Sequence, residues 1–319
     1  MIRRSGLMFK KITQTFNRSS PTTSSSISPP YSPTTTTYNF NGTGLTQVVS
    51  DSSVPGAIPS SKLPQRPIFT IAVSAVDVLL LIITYIVNRG FKLSSSTLIK
   101  MGGKYVPCMK PPRSRLFDQS LKLQCHSFLY PYQFYRFFMP IFLHGGWGHL
   151  MNNLIFQLLT GIILERKYGT KAFAIGYILF GLSGNILSAL FLPKSVSVGA
   201  SGAVYGLILF CLIDNILCIF TIRDYRDKII QTLVMFVVIP YFVTSFFTDI
   251  DFSGRIDHAG HVGGALMGIL AAGYMCEIPT FITSKMNEKR IELISLISII
   301  IYLVLTLLIF FLIKSPNLG

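Results

Sequence analysis

Charge is scarce in this chain. Only 13% of its 319 residues are Asp, Glu, Lys or Arg, half are hydrophobic, and the mean hydropathy of +0.54 excludes a soluble domain of this length. Acidic residues are scarcer still, 13 against 28 Lys and Arg, and none precedes Asp51. The resulting net charge of +15 does not signal nucleic acid, because the basic residues are spread through the tail and the loops between apolar stretches instead of forming one patch. Cysteine is sparse, and no metal-ligand spacing appears. Cys211, Cys218 and Cys276 fall in apolar stretches as packing residues, whereas Cys108 and Cys125 share one long loop. Those two can pair only if that loop faces an oxidising compartment. Period-two alternation is missing, which excludes a membrane barrel, and no internal repeat of matched halves suggests a transporter.

What is present is apolar sequence in blocks. Residues 1–66 are rich in Ser, Thr and Pro and lack material for a core, so they read as a disordered tail. The acid-free start MIRRSGLMFKK is compatible with a mitochondrial presequence, yet reads better as a basic cytosolic arm. Asn17 and Asn41 begin glycosylation sequons, which matter only if the tail is lumenal. From Pro67 onward seven stretches are long enough to cross a bilayer as helices, at about 67–88, 147–164, 171–192, 201–220, 229–248, 258–276 and 292–313. The expected architecture is an all-α polytopic membrane bundle of six helices plus one. Its parts are the tail 1–66, a core over 67–276 containing the long first loop 89–146, and a last loop, helix and short tail over 277–319.

Orientation follows from the short loops. Those after the second, fourth and sixth spans carry Arg166, Lys167 and Lys171, then Arg223, Arg226 and Lys228, then Lys285, Lys289 and Arg290. The opposite side offers Lys194, Arg255 and Lys314, which places the N-terminus in the cytosol and the C-terminus outside. The first loop disagrees, with nine basic residues on the outer side, but its length puts it at the edge of the rule.

Polar residues converge at one depth. The even-numbered spans enter the membrane from the same side, and their first turns hold His149 and Asn153, Ser201, and His261. Four of the five histidines (His144, His149, His258 and His261) lie at these helix starts. Such groups in hydrocarbon mark a functional site by default. Ser201, the first residue of its helix, has unpaired backbone amides and the positive end of the helix dipole beside it, so its own N–H can serve an oxyanion. His261 is the candidate base, and His149 and Asn153, four apart on one helical face, can aim donors into the same space. Gly199 and Gly202 flank the serine, while Gly264 and Gly268 form a GxxxG face that lets the fourth and sixth spans pack backbone to backbone. Tyr205, one turn below Ser201, can stack on His261. Asn185, Ser188, Ser195 and Ser197 are candidates to line a wet pocket.

These motifs resemble the rhomboid intramembrane serine proteases over residues 67–276. FYRFFMPIFLHGGWGHLMNN is similar to the family's first-loop and second-helix signature, VGASGAVYG to its nucleophile motif, GHVGGALMG to its histidine motif, and GIILERKYG to its glutamate-arginine turn, here Glu165 and Arg166. The resemblance implies Ser201 as nucleophile and His261 as general base with no third acid, and Asn153, His149 and the Ser201 amide as oxyanion hole. It also implies no cofactor, no metal, and single-pass transmembrane proteins in the lipid bilayer as substrates. His261 is preferred to His258 because Gly263 and Gly264 follow it. Tyr135 stands where the family usually has tryptophan before Arg136, a departure confined to the first loop. The extra helix follows the histidine helix, as in the eukaryotic secretory-pathway branch, which points to the secretory pathway or plasma membrane rather than the mitochondrial inner membrane. A non-catalytic relative that binds and sorts membrane proteins would need neither nucleophile nor base.

Overall fold

The computed structural model describes residues 35–41, 44–50, 66–112, 119–125, 131–219, 236, 240, 257–284 and 287–315. The chain divides into two units, Met1–Pro64 and Gln65–Gly319. In the first, β1 (Thr35–Asn41) pairs antiparallel with β2 (Gly44–Ser50), Asn41 opposite Gly44. This departs from the expectation of a tail without structure. Thr, Tyr, Phe and Val favour extended backbone, which suits these two strands. The remainder of that expectation concerns residues outside those described.

Among the described residues the second unit has six long helices: α1 (Ile68–Asn88), α2 (Trp147–Tyr168), α3 (Thr170–Phe191), α4 (Ser201–Ile219), α5 (His258–Met275) and α6 (Glu288–Leu312). Apart from Phe236 and Pro240, the expected fifth span, 229–248, lies outside the described residues, so α5 is the sixth span of the sequence and α6 the seventh. By length and composition α1, α3 and α6 are apolar enough to cross a membrane, and α4 is a shorter apolar helix over Ser201–Leu217. α2 is less apolar because it carries His149, Asn152, Asn153, Gln157 and a charged last turn, and α5 because it carries His258, His261 and five glycines.

α1 follows Pro67, which supplies no capping side chain. Its first turn is capped from 95 residues away. The Glu165 carboxylate near the end of α2 accepts the N–H groups of Phe69 (2.9 Å) and Thr70 (2.7 Å) and the hydroxyls of Thr70 and Thr170 (both 2.7 Å). A carboxylate there satisfies donors that a helix start leaves unpaired and meets the positive end of the dipole. Glu165→Gln is therefore expected to lower the unfolding free energy by about 2 kcal/mol, seen as a lower melting temperature in detergent. α2 and α3 are joined by Gly169 alone, whose φ of +87° lies where glycine is favoured.

The centre of the bundle is built on glycine. A Cβ on Gly264 of α5 would lie 1.8 Å from the Gly202 carbonyl oxygen of α4, one on Gly268 2.3 Å from that of Gly206, and one on Gly184 of α3 2.7 Å from that of Gly260. Backbones this close gain packing that larger residues would prevent. Tyr177, Phe180, Leu207 and Met267 fill the space around these contacts. α6 packs on the outside of α3 and α5, where the Tyr302 hydroxyl meets Ser183 Oγ (3.0 Å), which also bonds the Gly263 carbonyl (2.6 Å).

The first loop contains the short helices Ser95–Lys100, Val106–Met109 and Gln119–Cys125, and Cys108 and Cys125 form a disulfide. Among the described residues, three basic residues of this loop turn inward onto carbonyls. Lys104 Nζ donates to Leu192 O (2.8 Å) at the end of α3, and Lys110 Nζ donates to Phe310 O and Phe311 O (both 2.8 Å) and to Ile313 O at the end of α6. Cations at helix C-termini offset the dipole and satisfy orphan carbonyls. Fully buried Arg136 donates to Ile99 O (2.8 Å), Gly103 O (2.7 Å), Cys125 O (3.1 Å) and Gln133 Oε1 (2.7 Å). Arg136→Ala strands these acceptors and is expected to destabilise the protein by at least about 3 kcal/mol. Arg136→Lys should not restore the thermal midpoint, because a point ammonium cannot span a fork of four acceptors.

Candidate active site

Ser201 opens α4 and is half-buried. Before it, Gly199 takes φ +138° and its N–H donates to Pro140 O (2.9 Å), turning the chain sharply into the helix. No side chain fits at that turn. A Cβ on Gly199 would lie 2.7 Å from Cε1 and 2.9 Å from Nε2 of His149, and 3.5 Å from Ser201 Oγ. The imidazole of His149 and the hydroxyl of Ser201 thus converge on one point above Gly199.

His149 is oriented from both sides. Its Nδ1 accepts the Gly145 N–H (3.3 Å), and buried His144 packs edge-on against the ring with centroids 5.4 Å apart. Because Nδ1 accepts, a neutral ring carries its proton on Nε2, the nitrogen that faces Gly199, and so presents a donor there. Asn153, one turn further and buried, donates one amide hydrogen to His149 O (2.9 Å) and retains a second.

His261 is 8% exposed and lies flat on the Tyr205 ring, with centroids 4.1 Å apart and planes 7° apart. Tyr205 is the residue one turn after Ser201 on the same face. The close approach of α4 and α5 at Gly202 and Gly264 therefore brings the imidazole onto Tyr205, one turn into the serine helix. Among the described residues nothing hydrogen-bonds His261 Nδ1. His258 is exposed, its ring centroid 6.5 Å from that of His261. An apolar cavity of about 210 Å³ adjoins the pair, with Tyr205 and His261 at its head and Leu209, Val262, Leu266 and Ile269 along its walls.

Arg136 and Glu165 stand apart from this group, one inside the first loop and the other beneath α1. The wet-pocket assignment is corrected in part. Asn185 donates to Phe137 O (2.8 Å), and Ser188 and Ser197 both donate to Asp257 Oδ2, so these three are engaged in holding elements together. Asp257 itself went unnoticed in the sequence, although an aspartate just before a helix is an N-cap signal, and its Oδ1 accepts the Gly260 N–H (2.9 Å). A second omission is a buried polar cluster between α1, α2 and α3. Gln157 Nε2 donates to Asp77 Oδ2 (2.9 Å) and Ser74 Oγ (3.0 Å), and Tyr177 donates to Gln157 Oε1 (2.7 Å). The readable sign was Gln157 itself, which extends the four-residue spacing of His149 and Asn153 by another turn. The described residues include no group of three or more His, Cys, Asp or Glu suited to a metal ion.

Residues 131–278 match the family model of the Rhomboid domain. Rhomboid-like protease 1 of Toxoplasma gondii is 31% identical over 256 residues, 76% of this chain and 76% of that protein. Rhomboid-like protease 3 of the same organism is 28% identical over 204 residues, 63% and 67% of the two chains. Inactive rhomboid protein 2 of Homo sapiens is 33% identical over 169 residues, 53% of this chain and 19% of that protein. This chain belongs to the rhomboid family, multi-pass membrane proteins that are in general intramembrane serine proteases.

Proposed function

We propose that the protein is an intramembrane serine endopeptidase that cleaves transmembrane segments of single-pass membrane proteins with a Ser201–His261 dyad. The observation that carries this reading is the glycine contact of α4 and α5, which stacks buried His261 on Tyr205, one turn along a helix that begins with Ser201.

In this mechanism Ser201 Oγ attacks the scissile carbonyl carbon while His261 takes the hydroxyl proton. The oxyanion that forms is met by the Ser201 N–H, the free amide hydrogen of Asn153 and the Nε2–H of His149. Collapse of the tetrahedral intermediate expels the amine, which receives the proton from His261, and leaves an acyl-serine. Water, deprotonated by His261, then attacks the ester carbonyl, and the acid is released as His261 returns the proton to the departing Ser201 Oγ. The apolar cavity below His261 suits side chains of a substrate helix unwound at its end.

The Cys108–Cys125 bond supports a first loop in an oxidising compartment. With α1 crossing once, the N-terminal tail is then cytosolic, and the starts of α2, α4 and α5 lie toward the outer face. The six-plus-one arrangement fits the secretory-pathway branch, in that pathway or at the plasma membrane. Likeness to a relative named inactive favours a second reading, a non-catalytic binder of membrane proteins. Fluorophosphonate labelling of the purified protein separates the two. The protease is labelled and Ser201→Ala is not; a folded wild type that resists labelling would favour the binder.

A further inference from the structure

The mechanism above turns on the Ser201–His261 dyad and leaves a half-buried acid unaccounted for. Asp257 sits between the two segments that carry them. One oxygen caps α5, accepting the Gly260 N–H (2.9 Å), and the backbone carbonyl accepts the His261 N–H (3.1 Å). The other oxygen accepts two hydroxyls, from Ser188 of α3 and from Ser197 of the segment leading into Ser201. Ser197 is in turn paired with Lys104 by two backbone hydrogen bonds, 2.8 and 3.0 Å. Lys104 is fully buried; burial pulls its ammonium down to about 8, and the Asp257 carboxylate opposes that shift. One carboxylate therefore links the histidine helix, the nucleophile segment, the central helix and the first loop.

An N-cap needs one oxygen and tolerates Ser or Asn equally well. The second oxygen, with two serines directed at it from separate elements, exceeds that need. We propose that Asp257 is the positioning residue of the dyad: it locks the segment bearing Ser201 to the helix bearing His261, without touching the imidazole. The inference rests on the protease reading for its effect on rate, but not for the link itself. It also explains how His261 works with no partner on Nδ1. The ring is fixed by Tyr205 beneath it and by a helix start that Asp257 ties to the nucleophile.

The test is Asp257→Ser, which keeps a capping hydroxyl but cannot reach both serines, beside the double variant Ser188→Ala/Ser197→Ala, which leaves the cap intact. Both are expected to lower kcat for a transmembrane reporter about 30-fold with KM within about twofold, as a displacement near 1 Å does. Combining them should cost no more than either alone. Amide hydrogen exchange should rise in Asp257→Ser over both 195–200 and 258–262. Exchange confined to 258–262, kcat within about twofold of wild type in both variants, or additive losses would reduce Asp257 to a cap and overturn the proposal. If the wild type neither cleaves nor labels, the protease reading fails, while the exchange measurement still decides whether the link exists. Should Asp257→Ser not fold, the serine pair alone decides it by the same two readouts.

Discussion

Ser201→Ala and His261→Ala are each expected to lower kcat toward a transmembrane reporter by about 10⁴-fold or more, with the double variant little worse than either single. Non-additivity follows from the roles. Without the hydroxyl there is nothing for the base to deprotonate, and without the base the hydroxyl stays a weak nucleophile. KM should change little, since neither group offers much uniform binding to an apolar helix. His258→Ala is the control. It lies three residues before His261 on the same helix, yet it is exposed while His261 is buried against Tyr205. Activity that survives His261→Ala but not His258→Ala would reassign the base. Activity that survives Ser201→Ala would remove the nucleophile assignment altogether.

The parts of this fold that the sequence exposes are those in which one physical signal dominates. Helices α1, α3 and α6 are long apolar runs, and their ends fall within a few residues of the expected spans because little else competes with hydrocarbon. α2 runs on to Tyr168 rather than ending near residue 164, because charged Glu165, Arg166 and Lys167 look like loop to a hydropathy reading. In the fold Glu165 turns under α1 and Lys167 pairs with Asp214 at 2.6 Å, so the last turn is held by partners remote in sequence. The first loop was opaque for the same reason. The carbonyls that hold Arg136, Lys104 and Lys110 come from Ile99 to Ile313, and no local pattern announces them.

The site was legible where spacing carried geometry. His149 and Asn153 at four residues, Ser201 and Tyr205 at four, and Gly264 and Gly268 at four each place a pair on one helical face. Asp257 and Asp77 were not, because a single aspartate says nothing about which distant hydroxyl or amide will meet it. The serines read as pocket lining, Ser188 and Ser197, turn out to be what Asp257 binds. Small polar residues in a membrane protein have several uses, and only the partner decides among them.

Gly264→Ala is expected to be the most damaging single-methyl change in the bundle. The added carbon would lie 1.8 Å from the Gly202 carbonyl oxygen and 2.6 Å from its carbon, both backbone atoms with no rotamer to yield. Ordinary carbon–oxygen approach is about 3.3 Å, so α4 and α5 must separate by more than about 1 Å. That is expected to lower stability by about 3 kcal/mol, as overpacking of a rigid contact does. His261 precedes Gly264 by three residues and moves with it, so kcat should fall about 100-fold even in protein that remains folded. Gly268→Ala separates the two effects. Its clash with Gly206 O, at 2.3 Å, is also with backbone but lies a further turn from the histidine, so melting should suffer more than catalysis. Gly176→Ala supplies the baseline, because its Cβ would meet Phe180 at an ordinary 3.5 Å. There the lost glycine entropy should leave stability unchanged or raise it by up to about 1 kcal/mol. Thermal midpoints and reporter cleavage for the three variants decide the matter. A Gly264→Ala protein that melts and cleaves like wild type would mean that α4 and α5 do not meet through bare backbone, and the route by which His261 reaches Ser201 would have to be redrawn.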